Sequence, residues 1–184
     1  ASAVGLFQEL VGAHRDVKPS NVLVRGEAAG ASPVLVLGDV GLSRVLGDGS
    51  KRWSRREGST AFQSPEAREG VVSRAGDWWA VGMMVATAAL GRHPLSLADG
   101  SLPDDQVLAA EIVTHAVPLD GVSDPRLRLL CEGLLTREPE RRWGWEQVKQ
   151  WESGDAPRSW FDREVPRLRP DRRVRRVRFA GADY

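Results

Sequence analysis

In the run His14-Arg15-Asp16-Val17-Lys18-Pro19-Ser20-Asn21, an acid, a cation and an amide lie within one short stretch of chain. A brief strand-like segment, Asn21-Val-Leu-Val24, follows at once, and a second, Val34-Leu-Val-Leu37, closes on Gly38-Asp39. Two such segments read as a small hairpin with a long connection. The pattern therefore places two acids and an amide at the ends of one hairpin. Asp16 can accept a proton from an attacking hydroxyl. Asn21, the one asparagine of the sequence, and Asp39 offer hard oxygen ligands of the kind Mg²⁺ prefers. Lys18 adds positive charge suited to a transferring phosphoryl group. Positioning, a metal and positive charge are what phosphoryl transfer needs, with little covalent chemistry asked of the protein.

The same run resembles the catalytic loop of the protein kinase family, His-Arg-Asp with Asn five residues after the Asp. Lys18, two residues after Asp16, resembles the Ser/Thr branch. The resemblance implies Asp16 as catalytic base with Lys18 beside it. It implies Lys18, Asn21 and Asp39 as the residues facing ATP, with Asn21 and Asp39 holding Mg²⁺. Asp39 would be the acid of the Asp-Phe-Gly motif, and His14 would serve as scaffold. Gly58-Ser-Thr-Ala-Phe62-Gln-Ser64-Pro65-Glu66 resembles the end of an activation segment, with Ser64 where alanine is usual. Ser59 would contact Asp16 and Lys18. Arg15, Ser54, Ser59, Phe62, Pro65 and Glu66 would together form the activation segment and peptide platform. Asp77-Trp78-Trp79-Ala80-Val81-Gly82 resembles the start of the family's buried central helix. Asp77 would then accept hydrogen bonds from the backbone of the His14-Arg15 turn. Glu138-Pro-Glu-Arg-Arg142 resembles the Asp-Pro-x-x-Arg element, which implies an ion pair between Arg142 and Glu66.

The similarity covers residues 6–151. It implies transfer of the γ-phosphoryl group of ATP to Ser or Thr hydroxyls of a protein substrate. The sequence departs from the family in front: it has no Gly-x-Gly-x-x-Gly loop, no Val-Ala-Ile-Lys-like strand and no helix offering its partner glutamate. Val40 stands where Asp-Phe-Gly has phenylalanine. Residues 1–153 are therefore read as a kinase C-terminal lobe whose expected partner is a missing N-terminal lobe. The lobe alone is expected to bind ATP weakly and turn over negligibly. The alternative reading is a pseudokinase or scaffold that works without the ATP-binding lobe. A small-molecule phosphotransferase fits less well, since such enzymes lack Lys-Pro after the base and the Pro-Glu-ended segment. Ser54 or Ser50, set among Lys51, Arg52, Arg55 and Arg56, is a candidate phosphosite, with a solvated basic loop as the bland alternative.

The elements that must position these residues give an α+β fold, predominantly α. Residues 2–11 read as a helix with Val4, Leu6, Phe7, Leu10 and Val11 as its apolar positions. Residues 38–66 lack periodicity and read as one long loop. Asp77 to Leu90 is apolar nearly all round, as a buried helix would be, and Gly91 ends it. Further helices are expected from Pro103-Asp104 to His115, from Asp124-Pro125, and from Gly144 to Trp151. Trp78, Trp79, Trp143, Trp145 and Trp151 are read as core packing, and Cys131 as a buried small hydrophobe.

Composition bounds the rest. The 184 residues are 41% hydrophobic and 28% charged, enough for a core without staples. One cysteine excludes an internal disulfide and a multi-thiolate zinc site. The longest apolar run is too short to cross a bilayer, and no basic start precedes an apolar block, so a cytoplasmic location is expected. The net charge of +1 hides an acidic body and an arginine-rich stretch, residues 158–184. Prolines break any amphipathic helix there, so residues 154–184 read as a solvated linker and no specific nucleic acid is expected. Only Lys18, Lys51 and Lys149 are lysines. That arginine-for-lysine bias suggests a GC-rich, bacterial source.

Overall fold

The computed structural model describes residues 2–25, 34–39, 51–52 (backbone only) and 60–155. Val40, Ser50, Ser54, Ser59 and all but the first two residues of the 154–184 linker lie outside the described residues.

The fold is α+β and predominantly α, with helices α1 (Ser2–Leu10), α2 (Pro65–Arg68), α3 (Arg74–Leu90), α4 (Asp105–Thr114), α5 (Pro125–Leu134) and α6 (Trp145–Glu152). Strands β1 (Val22–Arg25) and β2 (Val34–Leu37) form the expected antiparallel hairpin, with Val22 opposite Leu37 and Arg25 opposite Val34. A second pair joins β3 (Lys51–Arg52) to β4 (Val71–Val72). This pair, the 3₁₀ turn Thr60–Phe62 and α2 correct the expectation of an unbroken loop over 38–66. Elements of two to four residues are too short to show a period, so the sequence pattern is silent about them.

Local chemistry sets the helix starts. Ser73 caps α3 by accepting from the Gly76 N–H at 3.2 Å, so the helix begins before Asp77. Gly91, at φ 68°, ends it in the left-handed conformation. Asp104 and Asp124 cap α4 and α5 by accepting from the N–H groups two and three residues on, and Pro125 occupies the first turn of α5. The Gln147 side chain accepts from the Gly144 N–H at the start of α6.

Helix α3 runs through the centre, with a core on either side. Trp78 packs with Val4, Val17, Leu130, Leu134, Trp143 and Val148. Trp79, Met83 and Ala86 pack with Leu108, Ile112, Cys131 and Leu135. Each large side chain fully buried here is worth about 1.5–3 kcal/mol. Helices α3 and α5 meet at Gly82, where an added Cβ would lie 2.8 Å from Leu134 Cβ. Trp78, Trp79 and Trp143 are buried, while Trp145 and Trp151 are partly buried within α6 itself.

Helix α1 corrects the expected apolar face. Its buried residues are Val4, Gly5 and Gln8, whereas Leu10 is 76% exposed and Leu6 is also exposed. Gly5 abuts the Trp145 ring, where a Cβ would come within 2.5 Å of Cδ2. Gln8 turns inward because a buried carboxylate, Asp77, lies opposite and needs donors. No helix among the described residues is long and apolar enough to cross a membrane.

Candidate active site

The loop from His14 to Asn21 is held from below by Asp77, itself 2% exposed. Asp77 Oδ1 accepts from the Arg15 N–H at 2.8 Å, and Oδ2 accepts from the His14 N–H at 2.8 Å and from Gln8 Nε2 at 2.8 Å. Burial pushes the Asp77 carboxyl up from its ordinary pKa, and the N–H groups of Arg15, His14 and Gln8 oppose that shift. Arg15 has φ 76°, a left-handed backbone for a residue with a side chain. Such a conformation costs about 1–3 kcal/mol and persists only where its surroundings over-determine it. The Asp77 carboxylate supplies that determination.

His14 is fully buried. Its Nε2 lies 3.1 Å from the Gly38 carbonyl, which can only accept, so this nitrogen carries the proton. Phe7 packs edge-on to the ring at 5.1 Å between centroids. His14 thus ties the loop to the residue before Asp39. The hairpin closes at the same place, since the Gly38 N–H donates to the Asn21 carbonyl at 2.8 Å. Asp39 follows, exposed and with φ 57°, at the mouth of the hairpin.

Within the loop, Asp16 is 7% exposed. Lys18 Nζ lies 2.7 Å from Asp16 Oδ2, and Asn21 Nδ2 donates to the same oxygen at 3.1 Å and to the Asp16 carbonyl at 2.8 Å. Two acceptors facing Nδ2 fix the amide orientation, because a flipped Asn21 would set oxygen against oxygen. Both bonds use Nδ2, which turns the Asn21 carbonyl oxygen, a hard ligand, away from Asp16. The 3₁₀ turn Pro19–Asn21 makes this possible by folding Asn21 back over Asp16.

The segment ending in Glu66 is anchored separately. Arg142 donates Nη1 to Glu66 Oε1 at 2.6 Å and Nη2 to Glu66 Oε2 at 3.0 Å. Its remaining N–H groups reach the carbonyls of Thr136, Ala75 and Arg137 at 2.7, 3.0 and 3.0 Å. Every guanidinium donor is thereby used, and the guanidinium carbon lies 5.0 Å from the centre of the Trp79 ring. Pro65 opens α2 and is buried, and Phe62 is half-buried above α3. Arg15, Asp16, Phe62, Gln63, Ser64 and Val72 line one cleft, so the loop and the segment meet there.

Two side chains in this arrangement carried no signal of function in the sequence. Gln8 supports Asp77, and its only trace was a polar residue four places after Val4. His93 reaches the segment from the turn after α3: Nδ1 accepts from the Leu95 N–H at 3.2 Å, so Nε2 donates to the Ala61 carbonyl at 3.0 Å. Phe62 packs edge-on to the same ring. Burial lowers the pKa of His93, opposed by the bond to Ala61. Ser54 and Ser59, expected in the segment, fall outside the described residues.

A buried acid-clamped loop, a hairpin closing beside it and an arginine-anchored segment make up the arrangement of a protein kinase domain. The family model for the protein kinase domain matches residues 6–152, and the chain belongs to that family. Among curated relatives it is 32% identical over 146 residues to the serine/threonine-protein kinase GRIK1 of Arabidopsis thaliana, covering 77% of this chain and 34% of that protein. It is 29% identical to the Arabidopsis kinase AtPK1/AtPK6, with 92% and 36% covered, and 28% identical to human serine/threonine-protein kinase STK11, with 83% and 33% covered. The chain spans about a third of the length of these relatives.

Proposed function

We propose that this chain is the C-terminal lobe of a protein serine/threonine kinase, residues 1–153, joined to a linker of residues 154–184. Asp16 receives the proton of the substrate hydroxyl and orients its oxygen. Lys18, bonded to Asp16 and 23% exposed, presents its ammonium to the phosphoryl oxygens. Asn21 and Asp39 would hold Mg²⁺. Bound Mg·ATP supplies the γ-phosphoryl group and the cation that shields its charge. The donor set suits Mg²⁺: the Asn21 amide oxygen and the Asp39 carboxylate are hard oxygen ligands, and Mg²⁺ takes few protein oxygens with phosphate and water completing its shell. Phe62, Pro65 and Glu66, held through Arg142, shape the peptide platform, to which Ser59, outside the described residues, is assigned by its place in the sequence. Arg15 and Ser54 belong to its regulation, Ser54 as a phosphosite.

The observation that carries this reading is the Asp16–Lys18–Asn21 cluster, locked to a buried Asp77 at the mouth of a hairpin ending in Asp39. An N-terminal lobe covering the nucleotide is part of the proposal. Leu23, Val24, Val34 and Leu35 of the hairpin and Leu6 and Leu10 of α1 are all exposed, and a lone two-stranded hairpin is marginal without cover. A cytoplasmic location suits a single buried cysteine. The lysine-poor composition suits a GC-rich bacterial genome.

The test is phosphate transfer from Mg·ATP by the full-length protein to protein and aminoglycoside substrates, with phosphoamino-acid analysis. Phosphoserine or phosphothreonine on protein is the expected product. Transfer to aminoglycoside alone would make it a small-molecule phosphotransferase, and transfer to neither a scaffold.

A further inference from the structure

Gln8 makes three side-chain hydrogen bonds, all to α3, and is 6% exposed. Nε2 donates to the Arg74 carbonyl at 2.8 Å and to Asp77 Oδ2 at 2.8 Å, while Oε1 accepts from Trp78 Nε1 at 3.0 Å. Two acceptors face the nitrogen and a donor faces the oxygen, so only one amide orientation satisfies the site. The backbone that carries Gln8 is fixed as well. Gly5, one turn earlier, lies against Trp145, and Trp145 stacks on Trp78 with 6.2 Å between ring centroids.

The consequence runs through Asp77. Its Oδ2 takes both the Gln8 amide and the His14 N–H, and its Oδ1 takes the Arg15 N–H. The loop's two N–H donors hold one oxygen each, and both belong to the segment that Asp77 has to position. The third donor, from a different helix, ties the carboxylate to a point outside that segment. Arg15 depends on the result, since its left-handed backbone at φ 76° must be imposed from outside. The next residue is Asp16, whose direction follows from the Arg15 torsions.

We infer that Gln8 is a positioning residue for Asp16, acting by locking the Asp77 carboxylate that imposes the Arg15 backbone. For its catalytic consequence this rests on the phosphotransfer reading above, but the positioning itself is measurable on the chain alone. A glutamine suits the task because it donates at every pH, where an acid would donate only when protonated and would otherwise repel Asp77.

The experiment is backbone amide hydrogen exchange by NMR, corrected for intrinsic rates, on the wild-type chain, Gln8→Leu and Gln8→Glu. In Gln8→Leu, protection at His14 and Arg15 is expected to fall about tenfold more than at Leu134 in the core of α5. In Gln8→Glu the introduced carboxyl and Asp77 face each other across the same short contact and share one proton, so the same two amides lose protection as the pH rises and that proton leaves, and regain it as the pH falls. Gln8→Leu shows no such recovery. In the full-length protein, Gln8→Leu lowers kcat while leaving the KM for protein substrate unchanged. An equal loss of protection at all amides, protection at His14 and Arg15 within about twofold of wild type, or no pH dependence in Gln8→Glu would overturn the inference. Wild-type protein that transfers no phosphate would instead refute the phosphotransfer reading, and the exchange data would still decide the role of Gln8.

Discussion

Replacing Arg142 with leucine tests how the Glu66 segment is held. The change strands the Glu66 carboxylate, which accepts two short bonds from Arg142 in a site where both side chains are almost fully buried. It also removes the donors that satisfy the carbonyls of Thr136, Ala75 and Arg137. Removing one partner of a buried pair costs about 3–5 kcal/mol, because the remaining charge stays desolvated and unpaired. With a loss of about 4 kcal/mol, a domain of this size should melt about 8–16 °C lower. Guanidinium unfolding followed by tryptophan fluorescence and thermal melts both read this directly. Arg142→Lys should recover only part of the loss, since an ammonium has three donors and no fork to match the carboxylate. The double variant Arg142→Leu with Glu66→Gln should be more stable than Arg142→Leu alone, because it removes the stranded charge. A loss below about 1 kcal/mol, the range of an exposed pair, would mean that Arg142 and Glu66 do not act as a buried anchor.

Gly82→Val should destabilise by about 1–3 kcal/mol or more, since even a Cβ would lie 2.8 Å from Leu134 Cβ, and chemical denaturation measures it. Burial lowers the pKa of His93 from 6.5, so between that lowered value and 6.5 the folded state binds fewer protons than the unfolded. Its stabilisation should be fully present above pH 6.5 and fade as the pH falls through that window, and His93→Gln should remove this part of the pH dependence in melts from pH 5 to 7.5. Burial, with the Glu132 charge adding to it, pushes the Cys131 thiol up to about 11. At pH 8 only about one thiol in a thousand is ionised, so a chromogenic disulfide reagent should label Cys131 no faster than the protein opens.

The hairpin and the start of α5 were legible because their signals are local. Asp124-Pro125 names a cap, Gly91 names an end, and the Val-Leu-Val segments name strands, whereas α3 starts at Arg74, ahead of the expected Asp77. The central burial of Trp78 and Trp79 was legible from a helix apolar nearly all round. The face of α1 was not. Leu6 and Leu10 advertise burial, but Asp77 opposite requires a donor, so Gln8 and the small Gly5 take the inner positions. The β3–β4 pair was invisible because a two-residue strand has no period and its partner lies far along the chain. At the site, Asp16, Lys18 and Asn21 are neighbours in sequence and could be read together. The meeting of Asp77 with His14, and of Arg142 with Glu66, spans more than sixty residues in each case. Residue types and spacing alone do not reveal such contacts, and only the resemblance to a family suggested them.

Asp16 is the residue proposed to carry phosphoryl transfer. The direct measurement is the rate of phosphate transfer from Mg·ATP to protein by full-length wild type and Asp16→Asn, with circular dichroism to verify that both are folded. A loss of about a hundredfold or more, the usual contribution of a positioned base, is expected with the fold unchanged. An Asp16→Asn protein that is folded and transfers phosphate at the wild-type rate would contradict that role.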